Sequence, residues 1–331
     1  MLRYGLIAGL IAIAGCGGEA FDESEAEPGE RETMGFAAAG KFVVWQHNIG
    51  YYASGTAAET AIKHAMTDFP IAPDIFMFQE CGQAGICGAE GKYNDKTGKC
   101  DSVGGPCVER ALRALKKGNR YTFRRNGLRV IGFRDARFGQ LGSDMRWGAS
   151  ENGSGSYFAA CSGVYVGAQL SVMLEDLLRP GKEVLVSTGH WFVGRDCACK
   201  QVRALETHWK TAPELRDDTG ANAQSYVDLH VFGGDWNAEP STSLPHAYRT
   251  GGSCDGSGLG GETHEDTGGN DFTFCQGAGG VSTPASCTNK KKVDYLWARR
   301  YNQSGITWQG SADKAANYFN DHRAVRTVFT Y

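Results

Sequence analysis

Polar side chains recur where apolar runs of this sequence stop. They are of types that bind cations or exchange protons, namely Asn48, Glu80, His190, Asp235, Asn237 and the pair Asp321 and His322. A sheet architecture would gather the ends of such runs at one rim. Carboxylates gathered in a cleft raise one another's pKa, and a divalent cation relieves that cost. The sequence therefore predicts a cation-binding pocket lined by carboxylates, amides and imidazoles.

The stretch VFGGDWNAEPST, residues 231–242, contains the densest group of these residues. Two glycines, an aspartate and an asparagine follow an apolar run there. An ordinary turn is one interpretation, because Gly, Asp and Asn are the residues that turns favour. The alternative is that the stretch carries the chemistry of the pocket.

The elements that must position these groups are mostly strands. Strand-like runs include KFVVWQHN, PDIFMFQE, RYTFRR, LRVIGF, SGVYVGAQLSVML, KEVLVSTGH, YVDLHVFGGD, KKVDYLWARR and the end of YFNDHRAVRTVF. Helical periodicity is found in residues 56–69, 108–118 and 199–210. Since the helices are few and spread between the strands, the pattern predicts two packed sheets flanked by helices.

The motifs HNIG, PDIFMFQE, STGHW, GGDWN, VDYL and NDHRAV resemble, in this order, the motif set of the endonuclease/exonuclease/phosphatase superfamily, the DNase I-like phosphohydrolases. The resemblance extends from Phe42 to Tyr331, and its specificity lies in the order of the six motifs. It implies an α+β fold, a four-layer α/β/β/α sandwich of two packed, mainly antiparallel sheets flanked by helices. It also implies an enzyme, a Mg²⁺-dependent phosphodiesterase.

The resemblance implies a metal shell of hard oxygen ligands. Glu80 is expected to be the chief ligand, with Asn48 close by and Asp321 completing a shell suited to Mg²⁺ or Mn²⁺. Asn320 precedes Asp321 where the family usually has serine, and we expect this change to be tolerated because the carboxylate and the imidazole remain.

The resemblance also implies catalytic roles. His322 is expected to be a general base or a phosphate ligand oriented by Asp294, with His190 as the acid or phosphate stabiliser on the other side. Asp235 and Asn237 are expected to hold the attacking water and the scissile phosphate oxygens. The two glycines before Asp235 would let the backbone approach the phosphate closely.

The N-terminal segment has the layout of an export signal. Residues 1–15 contain Arg3, a short apolar run and small residues before Cys16, which is typical of a lipoprotein signal peptide. Residues 16–40 are acidic and are expected to form a flexible tether, leaving the catalytic domain at 41–331. We expect export and lipid anchoring to the bacterial cell envelope, on its periplasmic or surface side.

Cysteine usage agrees with export. Of the 11 cysteines, Cys16 is expected to carry lipid, and the remaining even number suggests up to five disulfides. The spacing of Cys197 and Cys199 leaves a metal site as a less favoured alternative.

Charge bears on the substrate. The formal net charge is −3, and removal of the seven acidic and two basic residues before Phe36 leaves +2. Nine basic residues lie between Lys116 and Arg146, which suits a polyanion, although a solvated face is an equally good interpretation.

We therefore expect a monomeric nuclease acting on nucleic acid by in-line attack of water. A phospholipase C or sphingomyelinase-type phosphodiesterase of the same superfamily and a binding module without activity remain as alternatives. Contact with a membrane is expected only through the lipid on Cys16.

Overall fold

The computed structural model describes residues 37–38, 40–49, 62–79, 93–94, 99–100, 121–126, 129–147, 169–191, 195–215, 227–239, 243–250, 265–267, 273–276, 289–301, 305–312 and 322–331. All of these lie in one compact unit, Met34–Tyr331. The signal peptide, Cys16, the tether up to residue 36 and the helix predicted at 108–118 lie outside the described residues. So do Glu80, Asn320 and Asp321.

Two six-stranded sheets form the body of the protein, with strands numbered in chain order. The first sheet has the spatial order β15 (Thr307–Ala312), β16 (Val325–Thr330), β1 (Lys41–Asn48), β2 (Ile75–Gln79), β6 (Arg129–Arg134), β5 (Tyr121–Asn126). The second has the order β11 (Glu265–Asp266), β14 (Asp294–Arg300), β10 (Leu229–Asp235), β9 (Glu183–His190), β8 (Gln169–Asp176), β7 (Phe138–Trp147). Two small hairpins pair β3 (Tyr93–Asn94) with β4 (Lys99–Cys100) and β12 (Phe274–Gln276) with β13 (Asn289–Lys291).

Each large sheet contains a single parallel pair, β1 with β2 and β9 with β10, and its other pairs are antiparallel. The predicted, mainly antiparallel sandwich is confirmed. The two parallel pairs matter for function, because their carboxyl ends carry Asn48 in the first sheet and His190 and Asp235 in the second.

An apolar core lies between the sheets. Its side chains come from both, including Val44, Ile75 and Ile131 of the first and Val172, Val186, Val231 and Leu296 of the second. Strands that are buried on both faces read as continuous apolar runs, which is why β2 and β9 were predictable.

Helices cover the outer faces. Residues 62–67 are helical on the outside of the first sheet, where the Tyr121 hydroxyl donates to the carbonyl oxygen of Pro73 at 2.6 Å and lies 3.7 Å from Met66 Sδ. Arg195–Thr211 and Ser243–Thr250 cover the second sheet, where Val202, Leu205 and Trp209 pack against Phe232 and Trp297. A 3₁₀ turn follows at Pro213–Leu215. No helix within the described ranges is both long and apolar enough to span a bilayer.

Besides the short strands of the two hairpins and β11, three longer elements were missed from the sequence: β7, β15 and the helix Ser243–Thr250. β7 and β15 lie at sheet edges, and the burial of β15 alternates between exposed and intermediate along most of its length. Edge strands bury one face or less, so they lack the apolar run that marks a central strand. β7 also has an irregular register between Leu141 and Met145.

The expected basic surface between Lys116 and Arg146 is not one surface. Arg129, Arg134 and Arg137 are buried, at 2%, 7% and 0% exposure. The side chains of Lys116, Lys117, Arg120 and Arg125 lie outside the described part of the chain. Among the arginines of this stretch whose side chains are described, only Arg124 and Arg146, which face Asp144, remain accessible.

Two of the buried arginines belong to an ion network at the end of the sandwich opposite to Asp235, which we call the base. Arg134 contacts Asp74 through Nη2 at 2.7 Å, and Arg137 contacts Asp176 through Nη2 at 2.7 Å. Asp74 precedes β2 and Asp176 ends β8, so the network joins the two sheets. Burial raises the pKa of Asp74 against the opposing charges of Arg134 and Arg137. These side chains have a structural role.

Candidate active site

Asp235 lies at the centre of a polar pocket at the end of β10. The strand register pairs it with His190 on β9 and with Asp294 on β14. Asp235 is 2% exposed and Asp294 is fully buried. Two neighbouring strands thus place a histidine and a carboxylate on either side of a second carboxylate, as expected where strand ends meet at one rim.

His322 completes the pocket from the segment before β16. Its Nδ1 lies 2.8 Å from Asp294 Oδ2, and its Nε2 lies 3.9 Å from Asp235 Oδ2. A carboxylate accepts hydrogen bonds, so Asp294 favours the tautomer that carries its proton on Nδ1. Nε2 of His322 then presents a lone pair towards Asp235, as a general base requires.

Thr273 fixes the relative position of Asp294 and His322. Its hydroxyl accepts hydrogen bonds from the backbone N–H groups of Val293 at 3.0 Å and Asp294 at 2.8 Å, and its carbonyl accepts one from Arg323 N at 2.6 Å. One residue therefore ties the start of β14 to the residue after His322. The sequence carries no signal for it, since an isolated threonine has no motif.

The first sheet contributes Asn48 to the pocket. Asn48 Nδ2 donates to Asp235 Oδ2 at 3.0 Å, across the gap between the sheets. The neighbouring His47 is buried with its Nε2 3.3 Å from the carbonyl oxygen of His322. His322 is thereby held against β1 through its carbonyl and against β14 through its imidazole.

Asn237 and His190 form the other side of the pocket. Asn237 Nδ2 lies 2.9 Å from the carbonyl oxygen of Trp191 and 2.9 Å from His190 Nε2. Because the Trp191 carbonyl only accepts, it orients the amide so that Nδ2 donates to His190, whose Nε2 must then be unprotonated. The backbone N–H of Asn237 also donates to Asp235 Oδ1 at 2.8 Å.

His190 is held neutral in this arrangement. Burial lowers its pKa well below 6.5, and the charges of Arg129 and His322 lower it further. Arg129, at the start of β6, also donates through Nη2 to the carbonyl oxygen of His190 at 3.4 Å. Its place behind His190 was not evident from the sequence, where it was one of many basic residues.

The GGDWN stretch turns at Asn237, and both of its glycines are required by the packing of the sheets. Asn237 has φ of +47°, so the segment is not extended, and the side chains of Asp235 and Asn237 meet around His190 because the chain turns. Gly233 is required by sheet packing, since a Cβ there would lie 2.8 Å from Met77 Cε and 2.9 Å from Gln46 Cγ. Gly234 is required by its neighbour strand, since a Cβ would lie 2.2 Å from Gly189 O.

A buried bridge of side-chain amides links the strands whose ends carry the pocket. Gln46 Nε2 donates to Gln79 Oε1 at 2.7 Å, and Gln79 Nε2 donates to Thr188 Oγ1 at 2.7 Å. The bridge joins β1 and β2 to Thr188 of β9, which lies two residues before His190. Sequence analysis did not single out these residues, because a polar residue within an apolar run carries no indication of its partner.

The donor set fits a divalent cation. Oxygen or nitrogen atoms of Asp235, Asp294 and His322 lie within 4.8 Å of one another. Asp294 Oδ1 is buried and has no hydrogen-bond partner in the part of the chain that the structure describes. Glu80 follows Gln79, which pairs with Asn48 in the parallel register of β1 and β2. The predicted ligands Glu80 and Asp321 lie outside the described residues, so their participation stays a prediction.

Solved structures of known proteins share this fold. The endonuclease/exonuclease/phosphatase from Bacteroides vulgatus matches with a TM-score of 0.56 and 12% identity over 87% of this chain and 98% of that one. ANGEL2, a 2',3'-cyclic phosphatase, matches with a TM-score of 0.55 and 13% identity over 87% of this chain and 95% of that one. D. rerio TDP2 complexed with single strand DNA product matches with a TM-score of 0.53 and 13% identity over 88% and 99%.

No protein-family model and no curated protein sequence matches this chain. At sequence identities of 12–13%, these matches establish the fold of this chain and not its activity. The chain has the fold of the endonuclease/exonuclease/phosphatase, DNase I-like proteins, as the six ordered motifs predicted.

Proposed function

We propose that this protein is a phosphoester hydrolase, and specifically a metal-dependent phosphodiesterase that cleaves nucleic acid by in-line attack of water. The observation that carries the proposal is the arrangement of His322, Asp294 and Asp235. A histidine oriented by a buried carboxylate presents Nε2 to a second carboxylate, and a neutral histidine faces that carboxylate from the other side. The fold shared with a 2',3'-cyclic phosphatase and with a protein bound to single strand DNA product supports it.

In this proposal His322 activates the attacking water. The water lies between His322 Nε2 and Asp235 Oδ2 and loses a proton to Nε2 as it attacks phosphorus. Asp294 stabilises the resulting imidazolium through the hydrogen bond from Nδ1. Asp235 is well placed to orient the water because its Oδ1 already accepts from Asn237 and its Oδ2 faces both imidazoles.

His190 and Asn237 bind the phosphate. In the free protein His190 is neutral and is not yet an acid. The anionic charge of an entering phosphate favours protonation of His190, which then donates its proton to the leaving oxygen. Asn237 turns its amide donor from His190 to a phosphate oxygen in the same step.

A divalent ion would be held by Asn48 and the carboxylates of the pocket, with Glu80 and Asp321 as the ligands implied by the motifs. Hard oxygen donors of this kind suit Mg²⁺ or Mn²⁺. When bound, such an ion neutralises the charge that develops on the phosphoryl oxygens.

Nucleic acid is favoured over phospholipid by the placement of exposed side chains. Among the described residues, the large apolar side chains that stand exposed are Leu177 and Leu178, at 47% and 43%. They follow β8 at the base, far from Asp235, and cannot bring the pocket to a bilayer.

The full-length protein should therefore hydrolyse single-stranded DNA in Mg²⁺, and EDTA should abolish the hydrolysis until Mg²⁺ is restored. Sphingomyelin vesicles serve as the competing substrate. Cleavage of the vesicles alone would establish the phospholipase alternative, and cleavage of neither substrate would establish the inactive binding module.

We also propose that the protein is exported and carries lipid on Cys16, with the acidic tether between the lipid and the domain. The signal-like segment supports this, as does Cys199, which is disulfide-bonded. Labelling of cells with a fatty-acid probe should modify the protein, and Cys16→Ser should remove the label. Labelling that persists in the variant would contradict the assignment.

A further inference from the structure

A cleft opens between the two sheets at the side of the sandwich, where their edge strands β5 and β7 meet. Its volume is about 590 Å³, and it is lined by Phe123 and Arg124 of β5 and by Gln140, Ser143, Asp144 and Arg146 of β7. β5 and β7 are the edge strands of their sheets, so the cleft is open at the side of the sandwich.

The strand register places this cleft near His190. Arg146 pairs with Leu170 of β8, which pairs with Thr188 of β9, two residues before His190. Two strand spacings separate Arg146 from β9, which is about 10 Å. The exposed side chain of Arg146 therefore lies two strands from the strand that ends at His190.

The cleft has an excess of positive charge. Arg146 is 57% exposed and Arg124 is 33% exposed, and both face the single carboxylate of Asp144. Arg124 is oriented by hydrogen bonds from Nε to Gln140 Oε1 at 2.7 Å and from Nη1 to Phe123 O at 3.1 Å. Guanidinium groups present several fixed donors and bind phosphate oxygens well.

We propose that this cleft binds a segment of a nucleic-acid strand adjacent to the scissile phosphate, with Arg124 and Arg146 on backbone phosphates. This inference rests on the proposed function and names the substrate that the same site takes: an extended strand and not a small phosphodiester.

Hydrolysis provides the first test. The ratio of kcat/KM for a single-stranded DNA oligonucleotide to kcat/KM for bis(p-nitrophenyl) phosphate should fall about tenfold in Arg146→Ala, which removes a charged hydrogen bond to phosphate. Arg179→Ala, an exposed arginine at the base, is the matched control and should leave the ratio unchanged. An unchanged ratio in Arg146→Ala and in Arg124→Ala overturns the cleft assignment.

Binding provides a second test that does not depend on turnover. The anisotropy of a labelled single-stranded oligonucleotide, measured with the full-length protein in EDTA, should give a salt dependence whose slope falls by about one in Arg146→Ala. Asp144→Asn should strengthen binding, because it removes the carboxylate between the two guanidinium groups. Weaker or unchanged binding in Asp144→Asn contradicts the inference. Binding with these properties but without hydrolysis would refute the proposed function and keep the cleft.

Discussion

The two ends of the sandwich bury carboxylates in different ways. At the base, Asp74 and Asp176 contact guanidinium groups of Arg134 and Arg137, which stay charged at every physiological pH. At the other end, Asp235 and Asp294 contact imidazoles, which can gain and lose a proton.

The difference separates a structural ion network from a reactive one. Arg137 donates to Asp176 through both Nε and Nη2 and also to the carbonyls of Ala37 and Ala38, so its donors are used within the protein. In the pocket, one oxygen of Asp294 has no hydrogen-bond partner within the described residues. Groups held by permanent charges stabilise the fold, whereas groups held by titratable partners remain available to a ligand.

The largest expected effect is on turnover at the pocket. His322→Ala removes the general base, so kcat for single-stranded DNA should fall by about 10² to 10⁴-fold. Because the substitution also leaves the buried Asp294 without this hydrogen bond, the melting temperature is measured alongside kcat, and His208→Ala on the outer helix is the matched histidine control. Turnover close to that of the unmodified protein in His322→Ala would remove this residue from the mechanism.

A substitution at the base should lower the stability of the protein and leave its turnover unchanged. Arg137→Ala leaves Asp176 buried without its guanidinium, so the free energy of unfolding should fall by about 3 to 5 kcal/mol. Urea denaturation measures this change, and kcat of the folded protein should be retained. A loss of kcat with unchanged stability would contradict the separation of the two ends.

Two substitutions of Asn237 separate the loss of its amide donor from the backbone strain at its positive φ. Asn237→Gly removes the amide donor at a φ of +47° that glycine adopts freely, so kcat should fall about 100-fold while stability is kept. Asn237→Ala should lose the same activity and also about 1 kcal/mol of stability, because alanine is strained there. Urea denaturation and single-substrate kinetics on both variants decide this. Equal stability of the two variants would show that the turn does not constrain the residue.

The smallest effect is the pH dependence of stability. The pKa of His190 is lowered in the folded state, so below pH 6.5 the unfolded chain binds a proton that the folded protein does not. This contribution to stability is fully present above pH 6.5 and is lost as the pH falls towards the folded pKa. Urea denaturation without metal, from pH 7 to 5.5, measures this contribution. The free energy of unfolding should fall less steeply with decreasing pH in His190→Gln than in the unmodified protein.

The pKa of Asp74 shifts in the opposite direction to that of His190. Its pKa is raised, so its ionisation disfavours the folded state as the pH rises from 3.8 through the folded value. Asp74→Asn should therefore leave the slope attributed to His190 in place. A slope that survives in His190→Gln would assign the effect to other groups.

Much of the pocket could be predicted from residue types at strand ends. Asn48, His190, Asp235, Asn237 and His322 were named as polar residues after apolar runs and Asp294 through the resemblance, and the structure brings all six together. Central strands buried on both faces give an uninterrupted apolar run, and a polar group at the end of such a run is conspicuous. The supporting residues Thr273, Gln79 and Arg129 could not be found in this way, because their partners lie in other strands.

The sequence by itself determined the sandwich of two sheets, the order of its motifs and the residue types of the pocket, since these depend on local apolar patterns and on strand ends. Only the tertiary structure decided which charges face inward. Arg134 and Arg137 are close to Arg124 and Arg146 along the chain, yet the first two neutralise carboxylates at the base and the last two line an open cleft. Strand direction and sheet pairing assign each side chain to an end and a face of the sandwich, and no count of charges along the chain contains that information.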